Sequence, residues 1–207
     1  NSQIHIKHFS NLEKNRVSVN RENHVSGSKD LGNDAVSVHE ADFKYFNSEE
    51  YIFENLSFSI PKNIHTIITG PNGSGKSTIL GLIAGVLLSE KGKIQTSSSK
   101  FGYIGATPFI FRDTIRNNLL FGNSSEVTDE LLLEKLRIFE TFKEESGYDL
   151  DRVIDNKSLS SGQFQKIAFI RALVSGVDIL LLDESTSNLD ENTKKLTTSY
   201  GHSGILL

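Results

Sequence analysis

The chain has 207 residues, which is enough to bury one sizeable core, and we expect a single compact domain. Its formal net charge of -4 at pH 7 argues against a general nucleic-acid-binding protein, so we expect no nucleic acid among its partners. Cysteine is absent, which excludes disulfides and thiolate metal sites, and no run of about 18 apolar residues predicts a membrane span within the chain.

The first 37 residues are predicted to be a linker. They are polar and rich in Asn, Ser and Lys, and Gly27 and Gly32 interrupt any periodicity. Apolar and alternating stretches begin at Val36. We therefore expect the folded domain to occupy about residues 38–207.

Three strands and a helix are predicted next. Residues 36–45, 56–60 and 64–69 have strand-like patterns, and the second of them alternates strictly between apolar and polar residues. A glycine-rich loop follows the third strand, and the apolar spacing over residues 77–88 predicts a helix. The order is therefore strand, glycine loop, helix.

The second half of the chain is predicted to combine helices with one buried strand. A short strand pair is expected around residues 93–104, and helical patterns follow, the clearest over residues 130–142 and 162–174. The continuous apolar run over residues 179–182 is typical of a strand buried on both faces of a parallel sheet, and we expect it beside the strand before Gly70.

These elements predict an α/β fold. We expect a mostly parallel central sheet, an antiparallel β edge formed by the early strands, and a helical lobe over about residues 112–162.

The glycine loop carries the clearest chemical signal. Residues 70–77 read GPNGSGKS, which is the P-loop pattern of an NTPase core. Its backbone N–H groups would surround phosphates at a helix N-terminus, Lys76 would contact the β- and γ-phosphates, and Ser77 would bind Mg²⁺. The alternative is a plain glycine turn that caps a helix, but the strand before it and the helix after it favour phosphate binding. The candidate nucleotide-binding residues are Gly70, Pro71, Asn72, Gly73, Ser74, Gly75, Lys76, Ser77 and Thr78.

Two carboxylates follow the buried strand. Asp183 and Glu184 would lie at the C-terminal edge of the parallel sheet, where such sheets bind ligands. Asp183 suits a Mg²⁺ partner and Glu184 suits a general base that polarises the attacking water, so the predicted catalytic residues are Glu184 and Lys76. An acidic pair that merely opens a solvated loop is the alternative, and only the P-loop upstream favours catalysis.

A third motif points to a family. The residues Leu159-Ser160-Ser161-Gly162-Gln163, followed by a helical stretch that contains Arg171, resemble the signature of the ATP-binding cassette (ABC) family. The resemblance implies that Ser160, Ser161, Gly162 and Gln163 form a second anion site, which closes on ATP held by another domain's P-loop. It also implies a head-to-tail pair of such domains, with ATP and Mg²⁺ as cofactors.

Further similarities indicate an exporter. Tyr45 resembles the family's aromatic residue that stacks on adenine, although a strand Tyr is about as often plain packing. Residues 187–190 resemble the family's D-loop, and residues 114–119 resemble an exporter pattern. The resemblance implies ATP hydrolysis at the cytoplasmic face of a membrane, driving transport through transmembrane domains of the same transporter, with residues 1–37 as the linker from a membrane domain. No heptad run lies between Lys76 and Leu159, which argues against the chromosome-maintenance ABC ATPases.

The chain also departs from the family pattern. Ala106 stands where the family usually has Gln, Ser161 replaces the first glycine of the signature, and His202 is too close to Glu184 to be the family's switch histidine. These departures make the turnover uncertain and leave open a regulatory ATP-binding domain with weak hydrolysis in a heteromeric ABC protein. The absent methionine and switch histidine favour an omission of residues between about 190 and 201.

Overall fold

The computed structural model of the protein describes residues 21–46, 48–105, 107–123, 126–141 and 148–183, together with the backbone of residues 203–206. The strands are β1 (His24–Ser26), β2 (Asp34–Phe43), β3 (Phe53–Pro61), β4 (Thr66–Ile67), β5 (Lys91–Thr96), β6 (Phe101–Ile104), β7 (Asp113–Thr114), β8 (Val153–Ile154), β9 (Ile179–Leu182) and β10 (Ser203–Leu206). The α-helices are α1 (Lys76–Ile83), α2 (Ile115–Leu120), α3 (Asp129–Ile138) and α4 (Ser161–Val174). Across the described ranges, none of the helices has the length and apolar character required to cross a membrane.

The first sheet contains the predicted antiparallel edge. Its strand order is β1-β5-β2-β3, and β2 pairs antiparallel with both β3 and β5. The structure confirms the strands predicted over residues 36–45 and 56–60, with somewhat different bounds. Along β2, Val36, Val38, Ala41 and Phe43 are buried, and a bulge between Val38 and Ala41 shifts the alternation by one residue.

The sheet begins earlier in the chain than the predicted domain start. β1 pairs parallel with β5, and Ala35 and Val36 are in the core, so part of the predicted linker belongs to the sheet. The residues of β1 are only partly buried or exposed, and β1 is held through its backbone pairing with β5. A short edge strand of this kind has no apolar run that a sequence pattern could detect.

The second sheet is parallel and carries the candidate site at one edge. Its strand order is β4-β10-β9-β6, and all of its pairings are parallel. Every residue of β9 is buried, as the apolar run predicts. The prediction that β9 lies beside the strand before the loop is wrong, because β10 lies between β9 and β4. The predicted pairing within residues 93–104 is also wrong, because β5 and β6 belong to different sheets.

The helical lobe is formed by the second half of the chain and has its own apolar core. Helices α2 and α3 pack against α4, and the short β7–β8 ribbon contacts α2. The rings of Phe139 and Phe169 stack with centroids 6.5 Å apart. Helix α3 begins at the N-cap residue Thr128, whose hydroxyl accepts a hydrogen bond from the Leu131 N–H. It ends at Ile138, and residue 142, where the sequence predicts its end, lies outside the described residues.

A buried asparagine ties the loop after β6 to the lobe. Asn118 is 0% exposed, and its Nδ2 donates to the backbone carbonyls of Phe111, Asp113 and Thr114 over 3.0–3.3 Å. Its Oδ1 accepts from the Phe111 N–H at 2.9 Å, while its own backbone carbonyl accepts from Arg171 Nε at 2.8 Å. The Asn118 side chain therefore satisfies four partly buried backbone groups of residues 111–114.

Asn118→Ala should lower the free energy of unfolding by about 2–3 kcal/mol, because it leaves partly buried backbone donors and acceptors without partners. Asn117→Ala is the matched control, since Asn117 is exposed and its side chain donates to a single acceptor, Asp113 Oδ1, at 2.8 Å. The control should lose less than about 1 kcal/mol in the same urea titration of the purified protein. Equal losses in the two variants would contradict this role.

Candidate functional site

The glycine loop joins β4 to helix α1. The helix begins at Lys76, one residue before its predicted start, and it ends at Ile83 rather than at residue 88. Gly75 is the N-cap with φ of 90°, and Gly73 has φ of 81°, backbone angles that residues with a side chain rarely adopt. The loop therefore depends on glycine at these positions to place its backbone N–H groups at the start of α1.

The loop packs against the start of β3. A Cβ atom added to Gly75 would lie 2.5 Å from Phe53 Cζ and 2.8 Å from Ile52 Cγ2. The sequence analysis does not select Ile52 or Phe53 as site residues. Phe53 begins β3 and Ile52 directly precedes it, and no sequence motif connects this position with the loop that follows β4. The side chains of Ile52 and Phe53 pack against Gly75 on the side of the loop that faces the first sheet.

The ammonium group of Lys76 lies inside the curve of the loop. Its Nζ donates to the carbonyl of Gly70 at 3.2 Å and to that of Pro71 at 3.1 Å. A positive charge is thus held beside the helix N-terminus, where the unpaired backbone N–H groups of α1 add further positive potential. This part of the loop is suited to a polyanion such as a nucleotide phosphate chain.

Two hydroxyl groups hold the carboxylate of Asp183 at the end of β9. Ser77 Oγ donates to Asp183 Oδ1 at 3.0 Å, and the Tyr103 hydroxyl donates to Asp183 Oδ2 at 2.9 Å. The backbone N–H of Asp183 donates to the Ile104 carbonyl at 2.9 Å, which extends the pairing of β6 with β9 by one residue. The structure thus brings together Ser77 and Asp183, the two residues predicted to bind the metal.

Tyr103 is a site residue that the sequence analysis does not select. Tyr103 belongs to β6. Partial burial is the largest cause that raises the pKa of Tyr103, to about 12, and the hydrogen bond to Asp183 and the negative charge of that carboxylate raise it further. The phenol therefore stays protonated at neutral pH and acts as a donor. Its position one residue before the end of the strand next to β9 was the available signal, but only the strand order reveals it.

Tyr45 lies beside helix α1. Its hydroxyl and Thr78 Oγ1 are 2.7 Å apart, and the Thr78 side chain is 5% exposed. The Tyr45 ring packs edge-on against Phe43 and remains 46% exposed. The predicted aromatic residue is therefore tethered next to the loop with a substantial part of its surface accessible.

The residues of the signature motif open helix α4. Ser160 is the N-cap: its Oγ accepts from the Gln163 N–H at 3.3 Å, and Gln163 Oε1 accepts from the Ser160 N–H at 2.8 Å. This reciprocal capping fixes the start of a 14-residue helix, with Ser161 and Gly162 in its first turn. A hydroxyl and backbone N–H groups thus lie at the positive end of a long helix.

Some of the predicted features fall on residues that the structure does not describe. Ala106, Glu184, His202 and residues 187–190 lie outside the described residues.

The fold and the site together define a P-loop NTPase domain. A glycine loop connects a strand to a helix at the carboxyl edge of a parallel sheet, and a carboxylate from a neighbouring part of that edge meets the first turn of the helix. The sequence pattern of the ABC transporter family matches residues 53–187, more than half of the chain, and the chain belongs to that family.

Several transport proteins are similar in sequence to most of this chain. An ATP-dependent permease, MDL1, of Candida albicans is 32% identical over 86% of this chain. An ATP-dependent lipid A-core flippase of Coxiella burnetii is 31% identical over 78%, and a multidrug resistance ABC transporter ATP-binding and permease protein of Lactococcus lactis subsp. cremoris is 31% identical over 84%. The chain spans 28%, 30% and 32% of the length of these relatives.

A solved structure has the same fold. A bacterial Atm1-family ABC exporter with ATP bound matches with a TM-score of 0.74 and 24% sequence identity, over 87% of this chain and 35% of that chain.

Gly75→Ala should lower the free energy of unfolding by at least about 2–3 kcal/mol, because the methyl group combines backbone strain with overlap against Phe53. Gly73→Ala is the matched control, since it has a similar positive φ but nothing within 4 Å of the added atom, and it should cost about 1 kcal/mol. Chemical denaturation of both variants measures the difference. If Gly75→Ala were as stable as Gly73→Ala, the packing of the loop on Phe53 would be refuted.

Proposed function

We propose that the chain binds Mg²⁺·ATP at residues 70–78 and hydrolyses the ATP as the nucleotide-binding domain of an ABC exporter, driving transmembrane transport. The observation that carries the proposal is the meeting of Ser77 and Asp183 at 3.0 Å beside the Lys76 ammonium in the glycine loop. Lys76 and Ser77 lie in the first turn of α1, and the Asp183 carboxylate reaches that turn from the end of β9. A cation and an oxygen-donor pair match the two parts of a metal–nucleotide complex.

The loop supports the phosphate part of the proposal. Lys76 already donates to the loop carbonyls at 3.1–3.2 Å, so its ammonium would need only a small movement to donate to phosphate oxygens. The backbone N–H groups at the start of α1 would donate to the same anion. Thr78, tethered to Tyr45, would hold the phosphates, and the exposed part of the Tyr45 ring would stack on the base.

The oxygen atoms of Ser77 and Asp183 are suited to binding Mg²⁺. Hydroxyl and carboxylate oxygens are the hard ligands that this ion prefers, and Mg²⁺ commonly keeps several waters in its shell. Because Ser77 donates its hydrogen to Asp183, the lone pairs of its oxygen are available to a cation. Each oxygen of the Asp183 carboxylate accepts one hydrogen bond and keeps further acceptor capacity for the metal or its waters.

The chemistry would need mainly positioning and charge stabilisation. When bound, Mg²⁺ would neutralise charge that develops on the phosphate oxygens during phosphoryl transfer. Lys76 would stabilise the same charge, and Glu184, the residue after Asp183, would accept the proton of the attacking water. Ala106 offers no amide that could bind Mg²⁺ or water, so we expect the hydrolysis rate to depend on Glu184.

A second nucleotide-binding domain would complete the site. The signature residues 160–163 form the start of the long helix α4. The positive end of the helix dipole and the Ser160 hydroxyl lie there, and such a surface suits an anion held by another domain's P-loop. We therefore propose a head-to-tail dimer at the cytoplasmic face of a membrane, with transmembrane domains as further partners. Support comes from the exporter-type relatives, of which the chain spans about a third.

Lys76→Ala should weaken ATP binding by on the order of a hundredfold, because it removes charge-assisted contacts worth about 1.5–3 kcal/mol each. Glu184→Gln should keep ATP binding but slow phosphate release by roughly 10²–10⁴-fold, because the general base is lost. Equilibrium ATP titration and a phosphate-release assay on the purified protein measure the two effects.

Lys62→Ala is the control for the lost charge. Lys62 is an exposed lysine whose Nζ also donates to a backbone carbonyl, that of Gly32 at 2.7 Å. The Lys62→Ala variant should leave both ATP binding and ATP hydrolysis unchanged. Retained tight ATP binding by Lys76→Ala would refute the P-loop assignment, and phosphate release by Glu184→Gln equal to that of the unmodified protein would refute the hydrolytic role.

A further inference from the structure

The carboxylate of Asp183 is held from both sides. Ser77 donates to Oδ1 at 3.0 Å and Tyr103 donates to Oδ2 at 2.9 Å, so each oxygen has its own hydroxyl donor. The terminal torsion of an aspartate side chain is broad and roughly two-fold, and a single donor would leave the carboxylate free to swing about it. Two donors on opposite oxygens restrict this rotation.

The strand pairing brings Tyr103 to this position. β6 and β9 are parallel, with Tyr103 opposite Leu181 and Ile104 opposite Leu182. Because side chains alternate along a strand, Ile104 enters the core at 2% exposure while Tyr103 points to the other face and stays 49% exposed. The hydroxyl at the far end of the Tyr103 ring can therefore reach the residue that follows β9.

We propose that Tyr103 is a positioning residue for the metal site: its phenol orients the Asp183 carboxylate for a divalent cation without contacting that cation. The proposal rests on the proposed function, since it assigns Asp183 to Mg²⁺. Tyr103 belongs to neither the P-loop nor the signature motif, since it lies on β6.

The physical effect is preorganisation. An outer partner that orients a metal ligand typically raises metal affinity because the ligand does not have to be ordered when the ion binds. The Tyr103 bond uses one acceptor position of Oδ2 and leaves further capacity on both oxygens. Tyr103 thus contributes to metal affinity and not to the contacts of the phosphate chain, which are made by the loop.

Tyr103→Phe tests the proposal, because it keeps the ring and removes only the hydroxyl. Mn²⁺ is the probe: it takes the same oxygen ligands as Mg²⁺ and is followed by electron paramagnetic resonance. In the presence of a non-hydrolysable ATP analogue, the variant should bind Mn²⁺ roughly tenfold more weakly than the unmodified protein. Binding of the analogue in EDTA should stay within about twofold, because no phosphate contact is lost.

Tyr51→Phe is the matched control. The Tyr51 hydroxyl also donates to a carboxylate, Glu90 Oε2, at the same distance of 2.9 Å, but these residues precede strands β3 and β5 of the first sheet. It should leave Mn²⁺ affinity unchanged. A purely structural effect of losing a phenol hydrogen bond would lower the thermal midpoint in both variants and would not single out the metal.

A background variant separates positioning from general stability. In Asp183→Asn the carboxylate is gone, so adding Tyr103→Phe should cause no further loss of Mn²⁺ affinity. The proposal is overturned if Tyr103→Phe alone binds Mn²⁺ within about twofold of the unmodified protein, or if its effect is undiminished beside Asp183→Asn. Absence of metal-dependent ATP binding in the unmodified protein would instead overturn the proposed function, and the positioning role with it.

Discussion

The hydrogen bond between Ser77 and Asp183 is the interaction on which the site depends, because it joins residues 106 positions apart in the chain. Ser77 belongs to the first turn of α1, and Asp183 directly follows β9. The two side chains can meet only if the loop–helix unit and the end of β9 lie at the same edge of one sheet. The parallel pairing of the second sheet meets this condition, since the carboxyl ends of all its strands point the same way.

The strand order of the second sheet sets the distance that the loop must span to bring Ser77 to Asp183. β10 separates β4 from β9, so the two strands that lead into the site are about 10 Å apart. The loop after β4 and the first turn of α1 cover this distance, and the loop turns with positive φ angles at Gly73 and Gly75, which glycine adopts readily. Packing against Ile52 and Phe53 then holds the loop in place from the side of the first sheet.

Local patterns in the sequence predicted the parts of the site but not their arrangement. The glycine loop, Ser77 and the buried strand before Asp183 are visible as short motifs, because each depends on the chemistry or burial of neighbouring residues. The position of β10, the separation of β5 from β6 and the role of Tyr103 depend on which distant strands pair, and periodicity carries no information on that choice. β1 was hidden for a related reason: it is short, only partly buried and held by backbone pairing.

A double-mutant cycle on Ser77 and Asp183 tests the central claim most directly. The affinity for ATP in the presence of Mg²⁺ would be measured for the unmodified protein, for Ser77→Ala, for Asp183→Ala and for the double variant. Because the two residues would share one metal and one hydrogen bond, we expect a coupling energy of at least about 1 kcal/mol, with the double variant little worse than either single one. Additive losses, with a coupling energy near zero, would show that Ser77 and Asp183 act independently and would contradict the account.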